Sequence, residues 1–219
     1  MNIIQIYENY KIPQNLQLHM LRVAAVGNLI ADNWKNETDI DKTVLLPALL
    51  LHDMGNIIKF DLSQSQKFSS ESIEVLKDIQ KEFKEKYGNE EHTATTMIAK
   101  EIGVSDHVLD ILTKKGKSST HDSLLSKDWN NKIKGYSDLR IDPFGVVSLS
   151  KRFEDVLIRY KNSGRSVGDK TEMAERYALA QQLEKEIQEK ILLNLQAITN
   201  EQIAPYIEAL KGYSVWTKK

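Results

Sequence analysis

The stretch DKTVLLPALLLHDMG, residues 41–55, is apolar on every side from Val44 to Leu51 and then turns abruptly polar. A helix without a polar face belongs in a core. Asp41 suits its N-cap and Gly55 its release, so a helix is predicted over 41–54, with Pro47 marking a kink or a late start. His52 and Asp53 follow Leu49-Leu50-Leu51 directly. Burying an imidazole and a carboxylate there is costly unless each finds a partner. A divalent cation over the helix end would satisfy both. The alternative is a His bonded to its own helix, with Asp53 as a cap.

Outward from this segment the pattern stays helical. Leu16, Met20, Val23, Gly27 and Ile30 recur at three-and-four spacing and predict a helix over 13–34. Further helices are predicted over 71–87, 91–102, 105–115, 123–141 and 148–161, with two more after the linker NSGRSVGD (162–169). Asp169 with Glu172, and Thr199 with Gln202, have the spacing of N-terminal caps. The polar segment 56–70 is long enough for a binding loop. Only 10 Gly and 4 Pro interrupt 219 residues, and no segment sustains strand alternation. The fold class is all-α. Residues 1–161 form one helical domain, and 169–219 form a helical extension packed on it or presenting an oligomer surface.

Composition narrows the chemistry. The 30 Lys+Arg against 31 Asp+Glu give a net charge of −1, which argues against a dedicated nucleic-acid binder or a polybasic membrane anchor. No Cys is present, so disulfides, thiolate zinc sites, iron–sulfur clusters and cysteine nucleophiles are excluded. The longest apolar run is too short for a membrane span, and the N-terminus does not read as a signal peptide. A cytoplasmic location is expected. Five His remain for proton or metal chemistry: His19, His52, His92, His107 and His121. His19 lies beside the apolar stripe of the first helix, where packing its ring edge is the plain alternative to ligation. Asp138 lies in a helix between Tyr136 and Leu139, where an ion pair with Arg140 or a Lys is the plain alternative.

Four segments together carry a resemblance: HMLRVAAVGNLIA (19–31), ALLLHDMGN (48–56), EHTATTMIAKEIGVSDHVLDIL (91–112) and YSDLRIDPFGVVSLSKRFEDVLIRY (136–160). In that order they resemble the HD-domain superfamily of metal-dependent phosphohydrolases, over roughly residues 15–160. The resemblance implies a helical bundle in which His19, His52, Asp53 and Asp138 hold one divalent metal. Two imidazoles and two carboxylates suit Mn, Fe, Co, Ni, Zn or Mg. Such an ion lowers the pKa of bound water and stabilises phosphoryl charge.

The sequence also departs from the family. Many members continue the doublet as HDxGK, whereas position 56 is Asn56. Arg22, Lys59 or Lys115 could supply the missing charge, Arg22 best because it lies one turn from His19 and can fork two phosphate oxygens. Glu91-His92 resembles the EH that opens a later helix in the family. Two-metal relatives add a His at the end of the next helix, but this chain reads ILTKKG (111–116), which argues against a second metal. No H-E-x-x-H and no P-loop occurs. One G-x-S-x-G string, Gly164 to Gly168, falls in the linker rather than between a strand and a helix. His107 and His121 read as bystanders.

The expected function is hydrolysis of a small phosphate ester, a nucleotide-type phosphomonoester or a phosphodiester. Asp53 or Glu91 activates water, the metal and Arg22 steady the phosphoryl charge, and His92 or a second water protonates the leaving oxygen. Lys59 and Lys115 would assist in binding substrate. The alternative is a catalytically degenerate HD module that binds a nucleotide or a partner protein. A homo-oligomer is compatible with either.

Overall fold

The computed structural model describes residues 1–62, 71–113, 119–163 and 170–215. Among them are eleven α-helices and no β-strand: α1 (Ile3–Asn9), α2 (Gln14–Asp32), α3 (Lys42–Leu51), α4 (Ile73–Tyr87), α5 (Glu91–Ile102), α6 (Asp106–Thr113), α7 (Ser119–Leu125), α8 (Trp129–Leu139), α9 (Leu149–Ser163), α10 (Lys170–Lys190) and α11 (Asn200–Lys211). The all-α expectation holds. None of these helices is long and apolar enough to cross a membrane. The linker string 164–168 and the proposed cap Asp169 lie outside the described residues, as does Lys115.

Helix α2 is the axis of the bundle. It packs on α3, α8 and α11, and all five residues of its predicted stripe are buried. Gly27 lets α3 approach closely, because a Cβ there would meet Leu49 Cδ1 at 2.4 Å and Ser137 Oγ at 3.2 Å. Helix α3 starts at its Asp41 cap and runs through Pro47, so the late start is not taken. Every residue from Val44 to Leu51 is buried, as an all-apolar helix requires.

Two expectations are corrected. The first twelve residues were not assigned to any helix, yet α1 forms among them through a capping box between Asn2 and Gln5. It buries Ile3, Ile6 and Tyr7. The Tyr7 hydroxyl donates to the Leu50 carbonyl at 2.7 Å, satisfying an acceptor that the end of α3 leaves open. The single helix predicted over 123–141 is two. Ser126 Oγ accepts from the Asp128 amide, and Asp128 then caps α8 by accepting from the Asn130 amide at 2.9 Å.

The last helices complete the core. Leu183 and Ile187 are fully buried, and Ile191 nearly so. Lys132 on α8 donates to Glu186 on α10, and the Tyr136 hydroxyl donates to Glu184 Oε1 at 2.8 Å. Thr199 and Gln202 form the reciprocal cap that their spacing predicts.

Candidate metal centre

His52 is the C-cap residue of α3 and only 5% exposed. Its Nδ1 donates to the Leu49 carbonyl at 2.7 Å. A carbonyl only accepts, so Nδ1 carries the proton and the neutral ring presents a bare lone pair at Nε2. That Nε2 is buried and has no hydrogen-bond partner among the described residues. A buried acceptor left open is costly unless something else fills the place.

Three more side chains converge on it. His52 Nε2 lies 3.7 Å from Asp53 Oδ2 and 3.7 Å from Asp138 Oδ1. His19 Nε2 lies 3.2 Å from Asp138 Oδ1 and 3.6 Å from Asp53 Oδ2. The donor atoms of His19, His52 and Asp53 all fall within 4.8 Å of one another. Ligands bonded at about 2.1 Å to one ion sit about 3.0 Å apart in an octahedron and about 3.4 Å apart in a tetrahedron. The measured separations are close to those values, and the mixed N/O donors match a divalent cation. Three helices deliver them: α2 brings His19, α3 the doublet and α8 Asp138. Asp138 pairs with imidazoles, not with Arg140. Arg140 is buried and donates to the Tyr136 hydroxyl and to the carbonyls of Val147 and Leu195.

The ionisation of the cluster follows from its crowding. Burial pushes the Asp138 carboxyl up, but the close approach and charge of His19 and His52 outweigh it and hold the group well below the usual carboxylate range. Burial pushes His52 down, yet Asp53 and Asp138 prevail and raise it, against an opposing push from Lys134. Asp53 is lowered, because His52, Lys59 and His19 together outweigh burial and the repulsion of Asp138. A raised His52 pKa means that the imidazolium persists to higher pH than in a free histidine, and that proton must leave when a cation enters. Apparent metal affinity is therefore expected to rise about tenfold per pH unit until that proton is gone, then level off. Calorimetric titration from about pH 6 to about pH 8.5 checks this, and a flat profile contradicts it.

A second cluster flanks the first. Gly55 donates its amide to Thr95 Oγ1 at 2.9 Å, and Thr95 in turn donates to the Glu91 carbonyl at 2.9 Å. This seats the turn after the doublet on the start of α5. Lys59 Nζ then lies 3.3 Å from Glu91 Oε1, and His92 Nε2 lies 3.7 Å from the same oxygen. His92 is about half exposed. Glu90 accepts from the amides of His92 and Thr93 and caps the helix. Arg22 goes elsewhere: its Nη1 donates to the Pro143 carbonyl at 3.0 Å, and its side chain faces α11 beside Leu18 and Asn200. Asn56 is buried and leaves its Oδ1 without a partner among the described residues. His107 pairs with Asp128 at 2.8 Å on the surface, and His121 is exposed. The sequence reading missed Thr95 and the Leu49 carbonyl. A threonine at the fifth position of a helix carries no local signal for the first, and a carbonyl carries none for the second.

No curated protein and no solved structure matches the chain significantly. The family model of the HD domain matches residues 17–124, which include His19, the His52-Asp53 doublet, Glu91 and His92. Asp138 lies beyond the match and joins the cluster by geometry alone. HD domains form a superfamily of metal-dependent phosphohydrolases, and the chain carries an HD domain over residues 17–124.

Proposed function

We propose that the protein is a metal-dependent phosphohydrolase acting on a small phosphate ester, with a nucleotide-type phosphomonoester or phosphodiester as substrate. The observation that carries this reading is the open, buried Nε2 of His52, with its tautomer fixed and three further donors around it. His19, His52, Asp53 and Asp138 would hold one divalent ion. When bound, such an ion supplies Lewis acidity toward water and phosphoryl oxygen.

The chain's own residues supply the rest. Glu91 sits next to the cluster with a cation on its oxygen, placed to accept a proton from the attacking water; Asp53 is the other candidate base. His92, about half exposed on the far side of Glu91, can reach a leaving oxygen and protonate it. Lys59 pairs with Glu91 and offers its remaining N–H donors to phosphate. Arg22, turned to Pro143 and α11, is not placed at the phosphoryl group unless its side chain swings away from that carbonyl. Metal-loaded protein is expected to hydrolyse an aryl phosphate and nucleoside monophosphates with Mn, Co, Ni or Mg. Metal-loaded protein that is inert with all of them would sink the reading.

A second reading has one observation in its favour. Asn56 is buried and uncharged where many family members place a lysine. The fold would then bind a nucleotide or a partner without turning it over. Stoichiometric metal and measurable nucleotide binding without product identify that case.

A further inference from the structure

A phosphoryl group at this centre needs positive charge beyond that of one ion, and Asn56 does not supply it. The nearby cations are mostly engaged. Lys59 is paired with Glu91, Arg22 holds Pro143, and Lys132 is tied to Glu186 and the Leu124 carbonyl. Lys134 differs. It is half-buried on α8 and makes no hydrogen bond or ion pair among the described residues. A half-buried lysine packs its stem and leaves its ammonium open to solvent or to a ligand.

Its position is specific. Lys134 precedes Asp138 by four residues, so the two share one face of α8 a single turn apart. They do not pair, for two reasons. A lysine N-terminal to an acid is the weaker order on a helix, and Asp138 already receives both imidazoles. The ammonium is close enough to His52 to oppose its protonation. Three residues before Lys134, on the same stripe, Asn131 is buried and its Nδ2 has no partner among the described residues. Asn131 lies about two turns, roughly 10 Å along the axis, from Asp138, whereas Lys134 lies one turn away and is the donor within reach of a group beside that carboxylate.

We propose that Lys134 is a further phosphate-binding cation of this site and supplies the charge that the lysine absent from position 56 would give. This rests on the metal-dependent phosphohydrolase reading. Lys134 contacts the non-bridging oxygens of the phosphoryl group that lies beside Asp138, and charge-assisted bonds of this kind are the strong ones.

The probe is inorganic phosphate, titrated calorimetrically into metal-loaded protein. Lys134→Met is expected to weaken phosphate binding about tenfold or more, with metal affinity within about twofold of wild type. Lys134→Arg keeps the charge and is expected to restore most of the affinity. Met packs where the lysine stem packed, so the variant should fold with an unchanged or higher melting temperature. Unchanged phosphate affinity in Lys134→Met overturns this inference alone. A wild-type protein that takes up no metal overturns the reading of the site and this inference with it.

Discussion

Asp53→Ala is expected to abolish stoichiometric metal binding and to lower turnover about a hundredfold or more, because the Lewis acid contributes several kcal/mol to the barrier. Asp53 Oδ2 is the oxygen facing both imidazoles, at 3.6 and 3.7 Å. Its removal leaves two nitrogens and one carboxylate, which weakens the hold on the ion and opens a further position to solvent. Stability should follow occupancy. A ligand at about a hundredfold excess over its Kd stabilises the folded state by about 2.7 kcal/mol. In a chain of this size that is about 5–10 °C in melting temperature. Chelator should therefore lower the wild-type midpoint by about that amount and leave Asp53→Ala unmoved. The comparison without metal is informative in itself. There Asp53 faces both an attraction from His52 and His19 and a repulsion from Asp138. The attractions win, so the metal-free variant should melt somewhat below metal-free wild type. A variant that keeps stoichiometric metal, or still responds to chelator, removes Asp53 from the ligand set.

What the sequence disclosed depended on how local each cause was. The doublet His52-Asp53 was legible because Leu49-Leu50-Leu51 carries it into the core within one turn. Helix α2 was legible because its stripe is complete within its own span. Asp138 was ambiguous in the sequence, where Arg140 stands two residues away. The structure resolves it by distant partners: Leu195 and Val147 carbonyls draw Arg140 inward, while α2 and α3 bring the imidazoles to Asp138. Helix α1 could have been read, since Ile3, Ile6 and Tyr7 keep helical spacing behind an Asn2 cap. The break at 126–128 also had a signal in Ser126 and Asp128, both good cap formers. Lys134 had none of its own. Its meaning depends on the phase of α8, which becomes visible only once Asp138 is placed.

Gly55→Ala is expected to be the most damaging single-methyl change near the site. Gly55 has φ −89°, a value open to any residue, so the sequence expectation of a glycine needed to release the chain is only half of the cause. The other half is space. A Cβ at position 55 would lie 2.2 Å from the Glu91 carbonyl oxygen, 2.7 Å from Ala94 Cβ and 2.9 Å from the Thr95 nitrogen. Two of these three are backbone of α5 and cannot rotate away. The turn would have to lift off the helix, breaking the Gly55–Thr95 hydrogen bond and moving Glu91 and Lys59 away from the doublet. Overpacking of a well-filled core costs about 1–3 kcal/mol, and the lost buried hydrogen bond adds about 1 kcal/mol. A melting temperature lower by about 5–12 °C is expected, with weakened metal binding although no ligand has changed. Gly27→Ala is the control. Its Cβ would also meet an atom at 2.4 Å, but that atom is Leu49 Cδ1, the mobile end of a side chain. The gain of about 1 kcal/mol in helix propensity offsets part of the repacking, so the loss should be small. If Gly55→Ala melts within about 2 °C of wild type, α5 is not held against the turn by this contact, and the second cluster is not fixed relative to the first.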